Sequence, residues 1–321
     1  MILVWVDHDD GEPDALSLEA LTFGRRLAAS LDAPLNAVVI GTEPMADRLR
    51  AFGVAAIHAA WDDRLFEFAP AGWAQSVVDV MGATSPQAIL AAGSDRGNEV
   101  MAHVGAKTAL PLAANVIEIE PGDAYLVTRL RWGGSLLEEA RLSGTVKLLT
   151  VAPHALTPEE APGAEPVLQS VTPALSDEDL RVRIMGREAP EGGRISLSDA
   201  RVVVGGGRGV GSAEGFRSLD ELAALLGGAV GVSRAVTSLG WRPHAEQIGQ
   251  TGMRIAPDLY IACGISGAIQ HIVGCKAAKK ILAINTDPEA PILAHADYAV
   301  IADLQKVVPA VTAEIRRLQQ G

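Results

Sequence analysis

Arg208 lies in the segment VVVGGGRGVGS, where positions 205, 206, 207, 209 and 211 are all glycine. A backbone without Cβ atoms can approach a phosphate, and the N-terminus of a following helix favours negative charge. An Arg held between glycines can fork onto a pyrophosphate. Neither familiar fingerprint fits the spacing. After Gly205 and Gly207 a dinucleotide turn needs glycine or alanine at 210, where Val210 stands, and a P-loop needs Lys after Gly211, where Ser212 stands. The cluster alone is also compatible with a tight turn, and Arg208 with a surface side chain. A second constellation is LYIACGISGAIQH at 259–271, read as a strand, a turn from Gly264 to Gly267 and a helix. Ser266 is expected to cap that helix beside open amides that suit a phosphate. Ile269, Ile272 and Val273 share one helical face with His271 nearly opposite, so His271 is expected to be exposed. ILAIN ends in Asn285 and YAVIAD ends in Asp303. At the carboxyl end of a strand, such groups can take a ribose hydroxyl or an adenine amine, although each alone is a common cap or turn former. Arg208, Ser266, Asn285 and Asp303 together outline a nucleotide site on an α/β sheet.

The elements that must carry these residues alternate along the chain. MILVWVD, LNAVVIG, IHAAW and PQAILAAG read as strands. SLEALTFGRRLAASL, with Leu21, Leu27 and Leu31 at helical spacing, reads as a helix, as do ADRLRAFG, AGWAQSVVDVMG and GSDRGNEVMAHVGAKTAL. YLVTRLRWGGSLLEEARLSGTVKLLTVAP reads as strands joined at Gly133–Gly134. The fold class is α/β with two domains, each a mostly parallel sheet flanked by helices, the first with an antiparallel addition. After Leu149, Pro153, Pro158, Pro162, Pro166 and Pro173 mark a linker, and DLRVRIMG at 179–186 reads as an isolated strand reaching to the second unit. A new βα series opens at DARVVVGGG, which puts the domains at 1–190 and 191–321.

Composition narrows the function classes. Of 321 residues 48% are hydrophobic and the net charge is −12, with Lys and Arg scattered, so a nucleic-acid surface is not expected. The apolar runs are short, no transmembrane segment is expected, and the N-terminus carries no signal pattern, so the expectation is a cytoplasmic protein. Two cysteines, Cys263 and Cys275, build neither a disulfide scaffold nor a four-thiolate cluster and read as core thiols. Asp7, His8, Asp9 and Asp10 read as an acidic loop after the first strand rather than a metal site, and Lys276, Lys279 and Lys280 complement a helix C-terminus.

From Arg201 to Val308 the chain resembles the FAD-binding half of the electron transfer flavoprotein α subunit. The residues that carry the resemblance are VVVGGGRGVGS, GVSRAV, GQTG, LYIACGISGAIQH, AINTDPEAPI and DYAVIADLQKVVP; AAGSDRGNEV and TRLRWGG match more loosely. The chain departs from the pattern at Pro243–His244–Ala245 and at the two cysteines.

The resemblance implies a Rossmann-like FAD domain and no catalytic residue in the ordinary sense. Arg208 and the amides of Ser266, Gly267 and Ala268 would hold the pyrophosphate and ribityl chain, and Asn285, Asp303 and Leu304 the adenosine end. Ser233 and Arg234 would lie beside the isoalloxazine ring, with Ile248 and Gly249 leading to Gln250 and Thr251 at its N5 edge. Ile269 and Gln270 would lead to His271 near O2. Positive charge and donors there would favour an anionic semiquinone. The implied function is an electron carrier. It would pair with a β subunit that holds AMP, accept electrons from acyl-CoA or related dehydrogenases in fatty acid oxidation, and pass them to a quinone oxidoreductase. An electron-bifurcating variant that oxidises NADH, and a non-redox nucleotide-binding module, are the alternatives.

Overall fold

In the computed structural model, which describes residues 1–9, 11–186, 195–197 and 200–319, the chain forms two units, Met1–Glu188 and Ala189–Gly321. Asp10 of the expected acidic loop and the expected 190/191 boundary lie outside the described residues.

The first unit runs β1 (Ile2–Trp5), a hairpin of β2 (His8–Asp9) and β3 (Glu12–Pro13), α1 (Ala15–Ser30), β4 (Leu35–Ile40), α2 (Ala46–Arg50), β5 (Ala56–Ala60), α3 (Pro70–Thr84) and β6 (Ala88–Ala92). It continues with α4 (Asp95–Thr108), β7 (Leu112–Glu120), β8 (Tyr125–Arg131), β9 (Leu136–Leu142), β10 (Lys147–Val151) and β11 (Val167–Val171). Nine strands form one sheet in the order β11-β5-β4-β1-β6-β10-β7-β8-β9. Only the β7–β8 and β8–β9 ladders in it are antiparallel. Ile2 and Val4 of β1 pack with Leu21 and Leu27 of α1, while Leu3 and Trp5 pack with Trp73 and Val77 of α3 and Val104 of α4. Both faces are covered, so MILVWV is an unbroken apolar run and not an alternating one. Asp14 caps α1 by accepting from the Leu16 amide, and Ser94 caps α4 by accepting from the Gly97 amide.

Two expectations fail here. Residues 179–186 hold no strand; Glu178–Leu180 is a 3-10 turn, and Asp179 is pinned there by Lys107 and Ser176. The strand is β11, inside the Pro-rich stretch, and it pairs in parallel with β5 from Val167↔Ala56 to Val171↔Ala60. β7, at Leu112–Glu120, is a further strand that no apolar block in the sequence marks.

The second unit runs β12 (Val202–Gly206), α5 (Arg217–Leu225), β13 (Ala229–Val232), α6 (Arg234–Ser238), β14 (Leu259–Cys263), α7 (Ile269–Cys275), β15 (Ile281–Asn285), β16 (Tyr298–Ile301) and α8 (Leu304–Gln319). Its five strands are all parallel, in the order β13-β12-β14-β15-β16. Phe216, Leu219 and Leu222, with Leu304 and Val308 of α8, cover one face; Ile272 and Cys275 of α7 cover the other with Tyr260 and Ala283. From β12 the chain passes to β13 on one side and later returns to β14 on the other. The switch point, where ligands of open α/β sheets bind, therefore lies at the carboxyl ends of β12 and β14.

Candidate functional site

Two glycine turns meet at that switch point. The amide of Gly207 donates to the Cys263 carbonyl at 2.9 Å, and that of Gly209 to the Gly264 carbonyl at 3.1 Å. A Cβ on Gly207 would overlap the Gly264 carbonyl, and one on Gly209 would come within 2.8 Å of the Gly264 Cα. On β12, a Cβ at Gly205 would overlap the Tyr260 hydroxyl, and one at Gly206 the Phe216 ring. Most of the glycine cluster is thus explained by packing of loop on loop and of strand on ring. Arg208 is exposed at the tip; its carbonyl accepts from the Gly211 amide at 3.1 Å, while its guanidinium makes no hydrogen bond or ion pair among the described residues.

The other expected residues gather along the same edge through short bonds. The Ser233 amide donates to the Gly206 carbonyl at 3.0 Å, and the Ile248 amide to the Val232 carbonyl at 2.8 Å. Gln250 N–H reaches the Gln270 carbonyl at 2.8 Å, and Ile292 N–H the Ser266 carbonyl at 3.0 Å. Asn285 Nδ2 donates to the Ile265 carbonyl at 2.9 Å, and its Oδ1 accepts from the Asp287 amide. Asp303 Oδ1 accepts from the Gln305 amide at 2.9 Å, and the Gln305 side chain donates to the Val210 carbonyl at 2.9 Å. Asn285 and Asp303 therefore act as turn former and cap, each with acceptor capacity left over. Leu304 is buried against the Gly264 turn, and Arg234 is exposed at the start of α6 with no ion-pair partner among the described residues.

His271 is not where the helical wheel puts it. It is 6% exposed, and Nε2 lies 2.8 Å from the Tyr260 hydroxyl. The helix turns His271, with Ile272 and Cys275, toward Tyr260 of the sheet and leaves Ile269 outside it. The 248–255 segment packs on a further side: Ile255 N–H donates to the Gly274 carbonyl at 2.8 Å, and a Cβ at Gly274 would overlap the Gly249 amide. Burial pushes the His271 pKa down to about 4, opposed in part by the Ile248 backbone. The imidazole is neutral at pH 7. Ser266 does not cap α7; Ala268 is its N-cap residue, without a side-chain bond, and Ile269 is 72% exposed while Ile272 and Val273 are buried. Lys279 and Lys280 pair with Asp258 and Asp297, each at 2.7 Å, and not with the helix end.

Two contributors escaped the sequence reading. Gln247 is buried and joins α6 to the following turn, accepting from Thr237 Oγ1 at 2.7 Å and donating to Thr251 Oγ1 at 3.0 Å. Tyr260 is the other. The available signal was a hydroxyl inside the apolar strand LYIAC, since a buried phenol must find a partner.

The residues present fit FAD on several counts. The amides of Ser266, Gly267, Ala268, Ile269 and Gln270 donate to no acceptor among the described residues, and Gly267 holds φ +84 with Ile292 where a Cβ would sit. Successive open amides and the Arg208 guanidinium suit a diphosphate. The exposed Ile269 offers apolar surface, and His271 Nδ1 is a buried polar atom without a partner.

At the corresponding edge of the first unit, Asp7, Asp9, Asp14 and Asp95 line a cavity with His8 and Arg96. Burial raises the Asp7 pKa although Arg96 lies 3.4 Å away. That lining opposes a phosphate, and no cluster of metal-holding side chains occurs among the described residues. Cys263 and Cys275 are free and buried, each thiol pushed up to about 12. No helix among the described residues is long and apolar enough to cross a membrane.

Comparison with known proteins bears on both units. Residues 2–176 match the electron transfer flavoprotein domain, and residues 196–276 match the electron transfer flavoprotein FAD-binding domain. The chain is 35% identical over 325 residues to an electron transfer flavoprotein subunit alpha of Clostridium acetobutylicum, covering 98% of this chain and 96% of that protein. It is 37% identical over 322 residues to the protein of the same name in Mycobacterium leprae, covering 98% of each. It is 34% identical over 324 residues to Protein FixB of Clostridium saccharobutylicum, covering 98% of this chain and 96% of that one.

Proposed function

The chain belongs to the electron transfer flavoprotein α-subunit family, and from that premise we propose that it is the FAD-holding half of a heterodimeric electron carrier. The observation that carries this reading is a coincidence of position: the segment matched to the FAD-binding domain, 196–276, contains both glycine turns of the switch point, the open amides and the unpartnered imidazole nitrogen. When bound, FAD supplies chemistry in which electrons are taken up and released singly.

The side chains divide the work of holding it. Arg208 and the amides of 266–268 neutralise and bond the diphosphate. Asn285 and Asp303 offer acceptors to the ribose and adenine, and Leu304 supports the turn beneath them. Ser233, Arg234, Gln250 and Thr251 surround the ring system, with Ile248, Gly249, Ile269 and Gln270 shaping the wall on which it rests. Arg234 contributes full positive charge beside the ring; the neutral His271 contributes a hydrogen bond. We assign a β subunit carrying AMP as the partner, acyl-CoA or related dehydrogenases as donors and a quinone oxidoreductase as acceptor, with no substrate turned over by the chain itself. Co-expression with the β subunit tests this. The purified pair is expected to hold one FAD and one AMP and to be reduced by a dehydrogenase with its substrate; a folded pair free of flavin refutes it.

A further inference from the structure

Tyr260 is fully buried in β14, and β12 leaves room for its hydroxyl by carrying glycine at 205. The hydroxyl has one hydrogen-bond partner among the described residues, His271 Nε2 at 2.8 Å. Two proton arrangements are open. If Nε2–H donates to the phenol oxygen, both the hydroxyl proton and the Nδ1 lone pair are left unbonded in the interior. If the hydroxyl donates to Nε2, the ring proton sits on Nδ1, and that N–H alone lacks a well-formed hydrogen bond, with only a weak contact to the Ile248 backbone. Each buried polar group without a partner is disfavoured, so the second arrangement prevails by one group. His271 Nδ1 is then the one buried, unpartnered side-chain polar atom among the described residues of the second unit. Beside the ring runs the backbone of Ile248, at the root of the turn that bears Gln250 and Thr251.

We propose that Tyr260 is a positioning residue for the cofactor: by donating to Nε2 it holds His271 as the Nδ1–H tautomer, and an acceptor atom of bound flavin completes that buried N–H. This rests on the FAD reading above. The imidazole's neutrality at pH 7 is what gives it a single proton to place, and a phenol is suited to the task because it reaches across the α7–sheet boundary without carrying charge. Gly205, Tyr260 and His271 are thereby one device: space on β12, a hydroxyl on β14 and a ring on α7.

The test uses the heterodimer labelled with ¹⁵N-histidine, flavin-loaded and flavin-free. Long-range proton–nitrogen correlation reads the two ring nitrogens, and the His271 signals are identified by their loss in His271→Gln. In the wild type Nδ1 is expected to be protonated and Nε2 bare, with the Nδ1 signal moving when FAD binds. In Tyr260→Phe the tautomers are expected to mix, and the FAD dissociation constant to rise by about five- to tenfold. An Nε2–H ring in the wild type overturns the proposal, and this readout needs no variant to fold. So does a Tyr260→Phe protein that keeps the wild-type tautomer and affinity, or an Nδ1 signal that ignores FAD in a complex that holds it. A folded complex that binds no FAD overturns the FAD reading itself, a result told apart by the flavin content of the same samples.

Discussion

Replacing His271 by Gln should flatten the acid side of the stability profile of the second unit. The ring is 6% exposed, and burial holds its pKa at about 4 in the fold against 6.5 for the free group. Between those values the unfolded chain binds more protons than the folded one, so stability rises with pH across that window. The contribution is complete above pH 6.5 and is lost as pH falls toward 4. From pH 7.5 to pH 4.5 the loss from this one group is about 2.5 kcal/mol. Gln keeps a partner for the Tyr260 hydroxyl and has no proton to gain. The assay is amide hydrogen exchange of β14 in the flavin-free heterodimer at both pH values, which reports opening of this sheet and not of the first unit. Carboxylates weaken both proteins on acidification, so the quantity of interest is the difference between their slopes. The wild type should lose about fifty- to a hundredfold more protection than His271→Gln, the fold-change that corresponds to that energy. Equal slopes would refute the burial argument.

Three further outcomes are expected. Arg234→Ala, with FAD content unchanged, should lower the potential of the first electron: a solvent-screened charge beside the ring is worth on the order of 1 kcal/mol, or about 40 mV for one electron, and an unmoved potential in spectroelectrochemistry removes Arg234 from its assigned place. Gly207→Ala should force the two switch-point turns apart, since its Cβ overlaps the Gly264 carbonyl; FAD content should fall while the exchange protection of the first unit stays as in the wild type, and full occupancy would contradict the packing described. Cys263 and Cys275, with thiols pushed up to about 12, should resist maleimide in the native protein at pH 8 and react once it is denatured; rapid native labelling would show that burial is overstated.

What could be read from the sequence follows from how each signal arises. β1, β12 and β14 are covered on both faces and therefore spell unbroken apolar runs, and the polar residues that follow them mark the carboxyl edge where the chain turns. β11 is legible only through its partner: its residues are mostly exposed, and its order comes from the ladder to β5, more than a hundred residues earlier. β7 buries only Ala113 and Val116 among partly or fully exposed positions and mixes polar residues into the run, so it gives no apolar block. At the site, the strand ends and the glycine turns could be picked out, but the purpose of the glycines could not, because Gly207 answers to Gly264 and Gly205 to Tyr260 across the sheet. His271 was misplaced for the same reason. A wheel describes one helix against one surface, and α7 is packed on two.

The central claim is that FAD lies across the carboxyl edge of the second unit's sheet. Hydrogen exchange of the heterodimer with and without FAD tests it directly. Protection on loading should concentrate at 207–211, 232–234, 248–251 and 264–271. Protection at the Asp7–Arg96 edge of the first unit instead, with the second unit unchanged, would contradict the account.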